Sequence, residues 1–219
     1  MRHLRIALVP ALAILVGITW IHVRANEKHP EPYTISPYIL EQLDRFARPG
    51  DLLFRRGSGV WSQVFSRTSS QEGYFSHVGI VAVASGRLQV WHAEADDLSG
   101  VGGVKADTIE DYLKGAQGIA IARISVPNAD LQRVAQTASS SSWQGIPFDT
   151  KFRIDDDGSA VYCTEYVWRV ILDATALDVV PQKTVIGGIP GITVDDLLIN
   201  PNVQTLYQKR WGSPHAMTD

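Results

Sequence analysis

The 219-residue sequence contains one cysteine, Cys163, so no disulfide can close within the chain. Basic residues are not in excess: 20 Lys and Arg stand against 23 Asp and Glu. No basic stripe interleaved with aromatics is present, which excludes nucleic acid as the expected partner. The longest charge-free apolar run, Ile6 to Ile21, falls short of the roughly 20 residues of a comfortable membrane span. No internal repeat and no long low-complexity segment occurs. Gly100, Gly102 and Gly103 lack a following helix in the right place, which removes a phosphate-cradling loop. Asp155-Asp156-Asp157-Gly158 lacks the alternating ligands and late glutamate of a calcium loop and reads as a solvated turn.

What is present is a globular composition, 45 % hydrophobic and 20 % charged, able to fill a core. The N-terminus differs. Arg2, His3 and Arg5 precede the apolar run, and Val23-Arg24-Ala25 follows as a small-x-small end. Residues 1–25 are therefore expected to be an export signal, with a retained membrane anchor as the competing reading. Cleavage there would leave 17 basic against 23 acidic residues, a net charge near −6. The expected location is periplasmic or cell-envelope. Polar residues 26–35, with Pro30 and Pro32, read as a linker to a single domain over 36–219.

Within that domain Ser36-Pro37 starts a helix with Leu40, Leu43 and Ala47 on one face, ended by Pro49-Gly50. Leu52 to Phe54 is a short buried strand. Val60, Trp61, Val64 and Phe65 have helical spacing, and 66–73 is a polar loop. His77 to Ala84 and Arg87 to Glu94 form a hairpin around Ser85-Gly86. Residues 95–104 read as a loop, Thr108 to Lys114 as a short helix, and Gly118 to Val126 as a strand. Asn128 is expected to cap a helix whose apolar face is Leu131, Val134, Ala135 and Ala138. Another helix begins near Cys163, with Val167, Trp168, Ile171 and Leu172 inward. Pro181 to Gly191 reads as a loop, and Thr193 caps a last short helix. Consecutive strands in hairpins argue for an α+β fold with an antiparallel sheet packed against helices.

Cys163 falls where loop becomes helix. A helix N-terminus favours a thiolate and offers N–H groups to an oxyanion. A buried small residue is the alternative. Of six histidines only His77 and His92 lie inside the predicted fold, both on the hairpin. With a two-residue turn, His77, His92 and Glu94 share one face, supplying a base and a group to orient it. A three-residue turn would break that arrangement. The same residues with Cys163 could instead ligate zinc, although only His92 and Glu94 are closely spaced.

The motifs "GDLLF" (50–54), "YFSHVGIV" (74–81), "VWHAEA" (90–95), "PFD" (147–149), "VYCTEYVW" (161–168) and "TVDDLLINPNV" (193–203) resemble the circularly permuted papain-fold amidases of the YiiX type, relatives of NlpC-type cell-wall peptidases. The resemblance implies Cys163 as nucleophile, His77 as base and His92 as third residue, with Glu94 as the alternative. The nearest branch carries glutamate at the third position, so His92 departs from it. No cofactor and no metal is expected. The resemblance implies an exported hydrolase of peptide or isopeptide bonds, with peptidoglycan, another peptide or an acyl compound as substrate. A lipid acyltransferase or thioesterase, and a non-catalytic cell-wall binding module, are the rival readings.

Overall fold

Six strands, all antiparallel, run in the order β4-β3-β2-β1-β5-β8 across one sheet in a computed structural model of the chain. They are β1 (Leu52–Arg56), β2 (His77–Ala84), β3 (Arg87–Ala95), β4 (Gly102–Thr108), β5 (Gly118–Ile124) and β8 (Val203–Arg210). The structure describes residues 36–57, 73–186 and 188–210, all within one compact unit spanning Tyr33–Asp219. The expected signal and linker, the helix around Val60 to Phe65 and most of loop 66–73 lie outside the described residues. Among the described residues no helix is long and apolar enough to cross a membrane.

Alternation along the strands gives the sheet two apolar faces. Leu52, Phe54, Val78, Ile80, Trp91, Ala120 and Ala122 pack against α3 (Asn128–Ala138) and α4 (Cys163–Thr175). Leu53, Val81, Val90, Ile119 and Ile121 pack against α1 (Pro37–Phe46) and α2 (Ile109–Leu113). Each fully buried aliphatic or aromatic side chain contributes about 1.5–3 kcal/mol by leaving water, so both faces are well anchored. The "GDLLF" stretch is structural. Buried Asp51 accepts from Arg123 Nε at 2.7 Å and Nη2 at 2.8 Å, and from the Arg48 amide at 2.8 Å. Gly50 has φ +93°, and a Cβ there would lie 2.3 Å from the Leu131 carbonyl oxygen, so α3 rests directly on this turn.

The hairpin turn has the predicted two residues. Ser85 (φ 53°) and Gly86 (φ 76°) are both left-handed, the geometry that suits a tight hairpin. Ala84 pairs with Arg87 and the ladder continues to Ile80–Trp91. Ser36 caps α1 as expected, and Thr108, expected as the first residue of the short helix, caps α2. Thr193 starts α5 (Val194–Leu198) in a reciprocal capping box with Asp196.

Several expectations need correction. Asn128 is the first residue of α3 and not its cap; Pro127 precedes it without a side-chain bond. The Pro181–Gly191 segment holds a small hairpin, β6 (Thr184–Ile186) with β7 (Ile189–Gly191). Residues 102–104 belong to β4, and β8 was not anticipated at all. β4 was hidden by Gly102 and Gly103. A Cβ at Gly102 would lie 2.1 Å from the Glu94 carbonyl oxygen, and one at Gly103 2.2 Å from that of Ile146. Both glycines mark close backbone approach, and not a loop. In β8, mostly exposed "VQTLYQKR" is an edge strand with a weak apolar signal.

Candidate active site

Cys163 is the first residue of α4, and the segment before it is tied down on both sides. Val161 donates its amide to the Pro147 carbonyl at 3.0 Å, and Asp149 donates to Val161 at 3.1 Å, so the "PFD" motif braces the approach to the helix. The Ile192 amide donates to the Tyr162 hydroxyl at 2.8 Å, and the Thr164 hydroxyl donates to the Ile192 carbonyl at 2.6 Å. The thiol is fully buried. Burial pushes its pKa up to about 12, opposed by the Val78 and Thr164 amides that face it and by the more distant charge of Arg55. The thiol thus meets β2 at the amide of Val78, the residue that follows His77.

His77 and His92 approach each other from β2 and β3. His77 Nε2 lies 2.9 Å from His92 Nδ1. Gly79 makes this possible: a Cβ there would lie 2.5 Å from Val90 Cγ1 and 3.0 Å from the His92 Cβ. Tyr112 on α2 walls the pair, its ring centroid 5.7 Å from that of His77 and 4.9 Å from that of His92. Its hydroxyl donates to the Leu53 carbonyl at 2.9 Å and so leaves the imidazole nitrogens alone. Burial holds the His77 pKa well below the ordinary imidazole value, helped by the positive charge of Arg55. Burial also lowers that of His92, against the opposing pull of Asp107.

Glu94 shares the face, as its place on β3 implied, but it is engaged elsewhere. One carboxylate oxygen is ion-paired with Arg55, and the other lies 3.0 Å from Lys105 Nζ. Burial would raise its pKa; the Arg55 guanidinium, His92 and Lys105 outweigh that and lower it. Arg55 in turn stacks over Tyr112, 4.8 Å from the ring centroid, and donates to the Tyr112 carbonyl at 2.7 Å. His92 Nε2 lies 3.0 Å from Asp107 Oδ2, on β4. Asp107, Arg55, Lys105 and Tyr112 lie in no motif of the sequence that points to them as site residues. The available signal was the alternation of Val104 and Ala106 with Lys105 and Asp107, a two-residue period obscured by the preceding glycines.

His77, His92 and Glu94 bring one donor atom each within 4.8 Å of one another, and Cys163 is not in that group. They do not fit a cation. The facing histidine nitrogens are already bonded together, and Arg55 and Lys105 occupy the carboxylate with two positive charges. The Asp155–Asp157 carboxylates also serve the protein: Asp155 pairs with Arg153, Asp156 with Arg169, and Asp157 accepts from the Ser159 amide.

The sequence profile of a family described as "Permuted papain-like amidase enzyme, YaeF/YiiX, C92 family" matches residues 47–188, a span that includes Cys163, His77 and His92. Among solved structures, the chain resembles the crystal structure of metalloprotein yiiX from Escherichia coli O157:H7. The TM-score is 0.60 at 20% sequence identity, covering 75% of this chain and 98% of that one. That likeness is one of fold. No curated protein matches.

Proposed function

The chain belongs to the family of permuted papain-like amidases of the YaeF/YiiX type, and we propose that it is an exported enzyme that cleaves an amide bond through an acyl-thioester on Cys163. One observation carries this reading. A thiol at the first turn of α4 faces the amide of Val78, and Val78 adjoins His77 on β2, whose Nε2 is already held by His92.

His77 Nε2 is engaged with His92, so Nδ1 is the nitrogen left to serve as base. Burial holds thiol and imidazole in their neutral forms. The proton therefore moves from Cys163 to His77 as sulfur attacks the carbonyl carbon, and not beforehand. The carbonyl oxygen gains the negative charge, met by N–H groups at the start of α4. Collapse breaks the C–N bond. The amine leaves with the proton from His77, and the acyl group stays on sulfur. Water then gives a proton to His77 and attacks the thioester, releasing a carboxylic acid and restoring the thiol. His92 acts through His77, as a positioning residue.

The basic, apolar and small-x-small order of residues 1–25 supports export, and export supports a cell-wall peptide or isopeptide bond as the substrate. The test is hydrolysis of peptidoglycan fragments by purified protein, with Cys163→Ser as control. Release of free amine by the wild type and none by the variant is expected. Binding without turnover by the wild type would contradict the reading and favour a non-catalytic module.

A further inference from the structure

We propose that Asp107 is a positioning residue that sets the proton arrangement of both histidines and so makes His77 Nδ1 the base. The inference rests on the catalytic reading of His77 and deepens it. It starts from a chain of three side chains on three adjacent strands: Asp107 Oδ2 lies 3.0 Å from His92 Nε2, and His92 Nδ1 lies 2.9 Å from His77 Nε2.

Donor and acceptor logic then fixes every proton. A carboxylate can only accept, so His92 carries its proton on Nε2. Asp107 is held ionised by the His92 hydrogen bond and by Lys105, whose Nζ lies 2.9 Å from the same oxygen. A neutral His92 with a proton on Nε2 has a bare Nδ1, which can only accept. His77 must therefore donate from Nε2. A neutral His77 with a proton on Nε2 has a bare Nδ1, the lone pair a base needs. If His92 carried its proton on Nδ1 instead, the two rings could be bonded only through a bare His77 Nε2. His77 Nδ1 would then be protonated and unable to take the thiol proton.

The arrangement also supports the charge that forms in the reaction. When His77 becomes an imidazolium it still donates to His92, whose opposite nitrogen donates to a carboxylate. A neutral imidazole in third place is thereby backed by an anion. The other charged or titratable groups facing the pair are Arg55 on β1, Glu94 on β3, Lys105 on β4 and Tyr112 on α2, and Cys163 on α4 acts on Tyr112. Of these, Glu94 is tied to Arg55 and Lys105, and Tyr112 donates to a backbone carbonyl. That leaves Asp107 as the acceptor on the far side of His92.

The first test needs no substrate. Nitrogen-15 spectra of the histidine rings in the full chain should show His77 and His92 each protonated on Nε2 alone near pH 7.5. A proton on His92 Nδ1 would overturn the inference. The second test compares Asp107→Ala and Asp107→Glu in amide hydrolysis. Asp107→Ala should lower kcat by 10-fold or more with KM unchanged, and should erode the Nε2 proton signal of His92. Asp107→Glu should restore part of kcat. Unchanged kcat and an unchanged His92 signal in Asp107→Ala would also overturn it. If Cys163→Ala still hydrolyses the substrate while the wild-type ring protons are as stated, the catalytic reading fails and the proton arrangement stands. If the Cys163 control is dead but the Asp107 variants behave as wild type, the reverse holds.

Discussion

The rings of His77 and His92 stand edge to face, at 89° with centroids 5.0 Å apart, and their facing nitrogens are 2.9 Å from each other. Removing the second ring leaves the first without an acceptor inside a buried site. His92→Ala should therefore lower kcat/KM for amide hydrolysis by about 10²-fold or more, the low end of what a positioned acid–base group supplies. Steady-state kinetics on the purified variant would show it. Wild-type kinetics would mean that His92 only fills space.

Gly79 controls the same contact through packing. An added Cβ would lie 2.5 Å from Val90 Cγ1 and 2.9 Å from the Trp91 carbonyl oxygen, and backbone cannot yield as a side-chain tip can. Gly79→Ala should destabilise the fold by about 1–3 kcal/mol, the usual cost of overpacking. Urea denaturation would measure the change, and a variant as stable as the wild type would contradict the close approach of β2 and β3.

Glu165, two residues after the thiol, is fully buried, with Oε1 2.7 Å from Arg169 Nε and Oε2 without a hydrogen-bond partner among the described residues. Burial raises its pKa to about 7 against an ordinary 4.5, despite Arg169. Between those values the folded protein holds a proton that the unfolded chain has released, so stability falls as pH rises through the window. Glu165→Gln cannot titrate. Relative to the wild type it should gain stability from pH 4.5 to pH 7, by at most about 3 kcal/mol at roughly 1.4 kcal/mol per pH unit. Thermal unfolding at pH 4.5 and pH 8 would check it; a pH-independent difference would contradict the raised pKa.

Much of this was legible in the sequence because its signals are local. Ser85-Gly86 fixes a two-residue turn, and that turn fixes which face His77, His92 and Glu94 share. Ser36, Thr108 and Thr193 each announce a helix start. What was missed depends on pairing that no local pattern encodes. β4 begins with two glycines that only the neighbouring backbone explains, and with that strand went Lys105 and Asp107. The choice between His92 and Glu94 could not be read from spacing, since both lie on the right face. What separates them in the structure is Arg55, whose place beside Glu94 follows from the β1–β2 register of Arg55 against His77.

In the proposed reaction Cys163 becomes a nucleophile by giving its proton to His77. The most direct measurement is the rate at which an acyl-donating, thiol-directed probe forms a single adduct on the protein at pH 7, followed by intact mass. One adduct on the wild type, mapped to Cys163, is expected, with a rate lower by about 10²-fold or more in His77→Ala. An equal rate in His77→Ala, or an adduct that persists in Cys163→Ala, would contradict it.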